Sequence, residues 1–242
     1  MDETTKNKIR QIITENHIIK FFDSEIHAKN LLNKGEMLFN TLEHFAKLEQ
    51  AGRGDSSEIT FKCSGTLYYK KPNDTQYSKL IDFNSFGRDK YRPIYCYTRL
   101  TKINFKDNGA MCFDNETLNQ LGLDKNSLYG VILDKILFEN KVIEYLKNFN
   151  IGCDIANIKY TDEELNPQMV LQAQLNKSNL AYFHKPCKFK GQQERRIMLG
   201  EHLDKLIERG IVKKFNDGGK IYIGDLSSFG HLCRVVNYPI ND

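Results

Sequence analysis

Residues 17–50 read HIIKFFDSEIHAKNLLNKGEMLFNTLEHFAKLEQ, and the point at which their pattern stops decides the fold class. His17 to Phe22 is short, β-branched and aromatic, as a strand is. Asp23 or Ser24 can cap a helix carrying Ile26, Leu31 and Leu32, and Gly35 suits its left-handed stop. Glu36 to Asn40 reads as a second strand, with Asn40 or Thr41 capping a short helix through Glu43 to Gln50. The opening is therefore β-α-β-α. Continued alternation would build a doubly wound parallel sheet, but the alternation ends here.

Upstream, Thr4 and Thr5 can cap a stretch with Ile9, Ile12 and Ile13 at helical spacing, so residues 1–16 are expected to hold a peripheral helix. Downstream, A-G-R-G-D-S-S from Ala51 to Ser57 has loop composition, and Glu58 to Lys62 resumes extended character. Residues 63–92 hold Gly65, Pro72, Asn73, Asp74 and Gly87 among many Tyr and Lys, which predicts irregular structure with one short strand at Leu67 to Lys70. Further strands are expected at Ile94 to Thr98, Ala110 to Phe113, Tyr129 to Leu133, Ile155 to Tyr160 and Gln193 to Leu199. A turn at Asn216-Asp217-Gly218-Gly219 joins Ile211 to Phe215 with Lys220 to Ile223. Phe138, Val142, Tyr145, Leu146 and Phe149 mark an amphipathic helix over 135–149, and 162–174 is expected to be helical with Pro167 as an early turn or a break. The mixture predicts an α+β fold in a single domain over 1–242.

The 242 residues are 40% hydrophobic and 27% charged, a folded globular composition, and 15 Phe and 12 Tyr without Trp predict a core of phenyl rings. No apolar run approaches the ~18 residues of a membrane helix, and the start lacks a signal-peptide core, so the expected address is cytoplasmic. Six cysteines (Cys63, Cys96, Cys112, Cys153, Cys187, Cys233) stand far apart, which predicts reduced, mostly buried thiols and no metal site. Lys and Arg number 35 against 31 Asp and Glu, and this net charge of +4 permits a nucleic-acid partner without requiring one. The absence of G-x-x-x-x-G-K, G-x-G-x-x-G, G-x-S-x-G and H-E-x-x-H patterns argues against P-loop enzymes, Rossmann dehydrogenases, α/β-hydrolases and zincins.

Two polar stretches remain, Arg53-Gly54-Asp55-Ser56-Ser57-Glu58 and Gln192 to Leu199, Q-Q-E-R-R-I-M-L. Alternation sets Glu194, Arg196 and Met198 on one face of the late strand, with Gln193, Arg195, Ile197 and Leu199 on the other. Charge on both faces fits either an edge strand guarded by charge or the wall of a cleft. The same holds for the R-G-D-S-S-E loop, since most such loops are merely solvated. Tyr97 could stack a nicotinamide or a base, whereas Tyr95 reads as core. His184 is a lesser candidate for a general base, and His27 and His44 read as surface or half-buried helix residues.

The order of these segments carries a resemblance. A strand H-I-I-K-F-F, a helix ending in N-K-G, a strand E-M-L-F-N-T-L, the R-G-D-x-x-E loop, and the late F-K-G-Q-Q-E-R-R-I and I-Y-I-G-D-L segments are spread over most of the chain. In this order the chain resembles bacterial and phage proteins with a late Q-x-E strand, and the DNA-targeting ADP-ribosyltransferase toxins (the DarT group). The resemblance implies a split, mostly antiparallel sheet with flanking helices and NAD bound as a substrate between its halves. Glu194 would be the catalytic glutamate: losing nicotinamide builds positive charge on the ribose, which a carboxylate on the adjacent hydroxyl stabilises. Lys20, standing where the DarT group carries a histidine, Gln193 and Tyr97 would contact NAD, and Arg53 would fork onto its diphosphate.

Basic residues interleaved with aromatics at 88–106 and 185–196 predict a track for nucleic acid that includes Arg99, Lys188 and Lys190, with a solvated lysine-rich face as its rival. The expectation is an NAD-dependent ADP-ribosyltransferase acting on RNA or single-stranded DNA, a toxin or phage-defence effector with an antitoxin or immunity partner. The rivals are a non-enzymatic binding protein on the same fold and a metal-independent nuclease.

Overall fold

The computed structural model describes residues 16–49, 59–73, 75–101, 104, 113, 117–118, 128–175 and 177–235. The expected N-terminal helix, the loop with Arg53 and all but Phe113 of the strand expected from Ala110 lie outside the described residues.

The opening forms as its sequence dictates: β1 (His17–Phe22), α1 (Glu25–Lys34), β2 (Glu36–Thr41) and α2 (Leu42–Glu49). Gly35 ends α1 at φ +60°, and a Cβ there would stand 2.4 Å from the Gly224 carbonyl oxygen, so the turn demands glycine. A hairpin of β3 (Thr60–Tyr69) and β4 (Ser78–Gly87) follows, then β5 (Pro93–Arg99), β6 (Leu128–Asp134) and α3 (Lys135–Lys147). Asp134 caps α3 by accepting from the Leu137 N–H at 2.9 Å. The chain continues through β7 (Cys153–Asn157), β8 (Lys159–Tyr160), α4 (Pro167–Gln174), β9 (His184–Lys185) and β10 (Glu194–Leu199). It closes with α5 (Leu203–Glu208), β11 (Lys213–Phe215), β12 (Gly218–Tyr222) and β13 (Gly230–Val235).

The fold is α+β: among the described residues, helices flank a nine-stranded sheet whose pairings are all antiparallel. Its centre is β5. One edge of β5 pairs with β10 from Glu194↔Thr98 to Met198↔Ile94. The other edge is shared: β2 pairs at Asn40↔Ile94 and Thr41↔Pro93, while β1 pairs at Ile18↔Arg99 and Ile19↔Thr98. From there β2 leads to β12 and β11, and β1 leads to β6 and β13. The sheet thus forks along β5, with Tyr95, Cys96 and Tyr97 in the crotch.

Alternation divides the interior between the two faces. Tyr95, Tyr97, Ile197 and Leu199 pack with Phe39, Phe138 and Val142 in one core, while Ile94 and Met198 pack with Phe61, Val170 and Tyr182 in the other. Each fully buried side chain of this size contributes about 1.5–3 kcal/mol by leaving water.

Several expectations need correction. Residues 63–92 are not irregular, because β3 and β4 are ten-residue strands that pair along most of their length. Their outer half is exposed, so no core-facing alternation announces them. Pro167 opens α4 instead of interrupting a helix begun at 162, since proline fits the first turn, where its missing N–H costs nothing. The late strand is not an edge, as β10 lies between β5 and β7, and α5 and β13 were not anticipated. Among the described cysteines Cys63 is buried but Cys187 is exposed, and all are free thiols.

Candidate functional site

Glu194 is the first residue of β10 and is only 5% exposed. A buried carboxylate must be paired, and this one is held from two sides. The Lys185 ammonium donates to Oε2 at 2.7 Å, and the Arg196 guanidinium donates to Oε1 through Nε at 2.8 Å. Alternation alone brings Arg196 to Glu194, two residues along one face, whereas Lys185 arrives from β9, which runs parallel to β8 at Lys159↔His184 and Tyr160↔Lys185. Lys185 also donates to Gln192 Oε1 at 3.1 Å, and the fully buried Arg196 donates to the Tyr182 carbonyl at 3.1 Å. The Glu194 N–H donates to the Tyr160 hydroxyl at 2.8 Å. Burial pushes the Tyr160 phenol up to about 12, and burial reinforced by the Glu194 charge pushes the Cys96 thiol up to about 12. Both stay neutral near pH 7 beside Glu194, Lys185 and Arg196.

The chain enters this site under strain. Gln193 adopts a left-handed conformation, φ +45° and ψ +40°, directly before Glu194. Such backbone is uncommon for a residue with a side chain and clusters at functional positions. The Gln193 carbonyl accepts from the Arg99 N–H at 3.0 Å, and its side-chain Oε1 is buried without a hydrogen-bond partner. The Arg99 Nε is likewise buried and unpartnered.

Lys20 sits in the crotch of the fork. Its ammonium donates to the Cys96 carbonyl at 2.6 Å and lies 4.7 Å from the centre of the Tyr95 ring. Burial holds its pKa below the usual lysine value, and Cys96 and Glu194 oppose part of that shift. Two residues offered by the sequence, Glu194 and Lys20, therefore approach β5 from its two edges.

Tyr97 does not join them. It points into the core that holds Tyr95, on the sheet face away from Glu194, where its ring meets Phe138 edge-on at 5.6 Å and its hydroxyl donates to Glu139 Oε1 at 2.8 Å. Arg195 grips the same carboxylate through Nε at 2.6 Å and a second nitrogen at 2.7 Å. Glu139 was missed, although its signal was available: 139, 142 and 146 are spaced like the buried stripe of α3, and an acid on that stripe needs a partner.

Lys102 and Lys106 of the expected basic track lie outside the described residues, and among the described ones several charges are already paired. Lys90 pairs with Glu43 at 2.8 Å, Arg92 with Asp89 at 2.9 Å, and Arg88 lies over the Phe61 ring at 4.6 Å. Lys185, Arg195 and Arg196 are taken up in the ion pairs above, while Lys188 and Lys190 are exposed. His184 is buried, its Nδ1 lying 3.1 Å from the Leu180 carbonyl oxygen. It lines a cavity of about 80 Å³ with Lys185, Pro186, Thr60, Lys62 and Arg88. A separate groove of about 540 Å³ between α2 and α5, lined by His44, Tyr91, Leu203 and Ile207, contains none of the sequence-derived candidates.

No family model, curated protein or solved structure matches this chain.

Proposed function

We propose that the protein transfers ADP-ribose from NAD to a macromolecule, with Glu194 as the catalytic carboxylate. The observation that carries this reading is an acid fixed by two cations at the start of an inner strand, directly after the strained Gln193 and across β5 from the Lys20 fork. The bond between nicotinamide nitrogen and ribose C1′ breaks with its electron pair leaving on nicotinamide, and the acceptor bonds to C1′ and releases a proton. Charge on the ribose peaks between these events. A carboxylate kept ionised and aimed in advance stabilises that charge without reorganising. A ribose hydroxyl reaching this carboxylate would share it with the Lys185 ammonium, with two nitrogens of the Arg196 guanidinium on Oε1 and with the Cys96 thiol. Arg53 and Lys20 carry the expected contacts to the diphosphate and nicotinamide ends.

The test mixes the protein with labelled NAD and total RNA, DNA or lysate. Glu194→Gln should lower label transfer by on the order of 10²-fold or more. The double variant Glu194→Gln, Lys185→Met removes one charge of each sign, so loss of transfer in that folded protein separates chemistry from misfolding. A second reading, a structural ion cluster in a binding protein, is favoured by the engagement of both carboxylate oxygens. On that reading wild type transfers no label and the substitution changes only stability.

A further inference from the structure

We infer that the outer face of the β3–β4 ribbon binds single-stranded nucleic acid. Phe61 and Cys63, buried, and Phe83 and Phe86, partly buried, anchor the ribbon in the second core. Beyond them, residues 68–71 and 78–82 are all exposed. A two-stranded ribbon is marginal in water on its own, so its extension past the core calls for a use.

The register supplies one. Tyr68 stands opposite Lys79, and the Lys70 ammonium lies 5.5 Å from the centre of the Tyr77 ring. Residues two apart share a face, so two tyrosines and two lysines alternate diagonally on one surface. Tyr68 is 60% and Tyr77 70% exposed. Open phenol rings stack unpaired bases of any identity, and ammonium groups beside them meet phosphates. Between residues 66 and 82, Lys70, Lys71 and Lys79 meet two acids, Asp74 and Asp82, and Lys79 is ion-paired with Asp82, so Lys70 and Lys71 carry the expected phosphate contacts. The edges are poorly suited to adding a partner strand, because register shifts at Lys62/Gly65 and Leu67/Tyr68 break the ladder and lysines punctuate it. The face remains.

The ribbon also leads somewhere. Thr60 and Lys62 at its base line the cavity whose other wall includes Lys185, the partner of Glu194. The same cavity is lined by Asp162 and Glu163 and reaches Lys185 but not Glu194, so a strand laid on the ribbon comes near the site without a continuous basic path to it. Its role as acceptor rests on the transferase reading; the binding does not.

The experiment measures fluorescence anisotropy of a labelled oligouridine of about twelve nucleotides between roughly 50 and 200 mM salt, a range over which phosphate contacts weaken markedly. Tyr68→Ala with Tyr77→Ala should weaken binding about tenfold or more, whereas the corresponding Phe pair keeps it, since stacking needs the ring and not the hydroxyl. Lys70→Ala with Lys71→Ala should lower the salt slope by roughly 0.7 per lost phosphate contact. The ribbon variants should keep NAD affinity, and oligonucleotide binding needs no NAD, so each idea can fail alone. Equal affinity of the Tyr-to-Ala pair and wild type, no wild-type binding at the lowest salt, or a wild-type dimer that the Tyr-to-Ala pair dissociates would overturn the inference.

Discussion

Lys185 and Arg196 divide one carboxylate between them, and the division has a stability consequence. Removing one partner of a buried ion pair leaves an uncompensated charge, which commonly costs 3–5 kcal/mol. Lys185→Met should therefore lower unfolding free energy by about 3 kcal/mol, the lower end of that range, because Arg196 still holds Oε1. Urea denaturation measures it, and a cost under about 0.5 kcal/mol, typical of a surface pair, would show that Lys185 is dispensable to the cluster. At this scale the sequence reveals half of the site. Glu194 and Arg196 share a face by simple alternation, but Lys185 belongs to another strand, and nothing in the spacing of residues 185 and 194 implies that they meet. Tyr97 shows the opposite limit: its ring suits stacking, yet a core and the Glu139 carboxylate claim it.

Elements are legible where one face is buried and obscure where neither is. The run over 17–50 has clean apolar spacing and a glycine stop, and its four elements appear within a residue or two of their expected bounds. The outer half of the β3–β4 ribbon has no buried face, so neither period 2 nor period 3.6 marks it. β9 is only two residues long, too short for any pattern, yet it places His184 and Lys185. Burial lowers the His184 pKa below its usual value, with the contact to the Leu180 carbonyl opposing part of the shift. The folded state thus binds fewer protons there than the unfolded state. Its contribution is fully present above the unfolded value of about 6.5 and is lost as pH falls through the lower folded value. Comparing urea midpoints at about pH 7.5 and 5.5, His184→Gln should lose less stability on acidification than wild type does. Equal losses in the two proteins would remove His184 from the acid response.

At the scale of the molecule, the end of β-α alternation after residue 50 was enough to reach α+β, because a parallel sheet needs a crossover for every strand. The forked edge of β5 was not readable, since strand order depends on contacts between residues more than fifty positions apart, such as Ile19 with Thr98 and Asn40 with Ile94. That fork also offers a built-in reporter. In an antiparallel strand the N–H and C=O of one residue point to the same edge, and these directions alternate along the chain. The carbonyls of 94, 96 and 98 thus face the fork: Ile94 is matched there by β2, Thr98 by β1, and Cys96 by the Lys20 side chain. The Cys96 amide is left without a strand opposite it, while its neighbours Tyr95 and Tyr97 face β10. Its proton should exchange for deuterium faster than those of Tyr95 and Tyr97, and anything that enters the crotch, NAD included, should slow it without changing its neighbours. Equal exchange at the three positions would mean that the two arms close over β5 in solution.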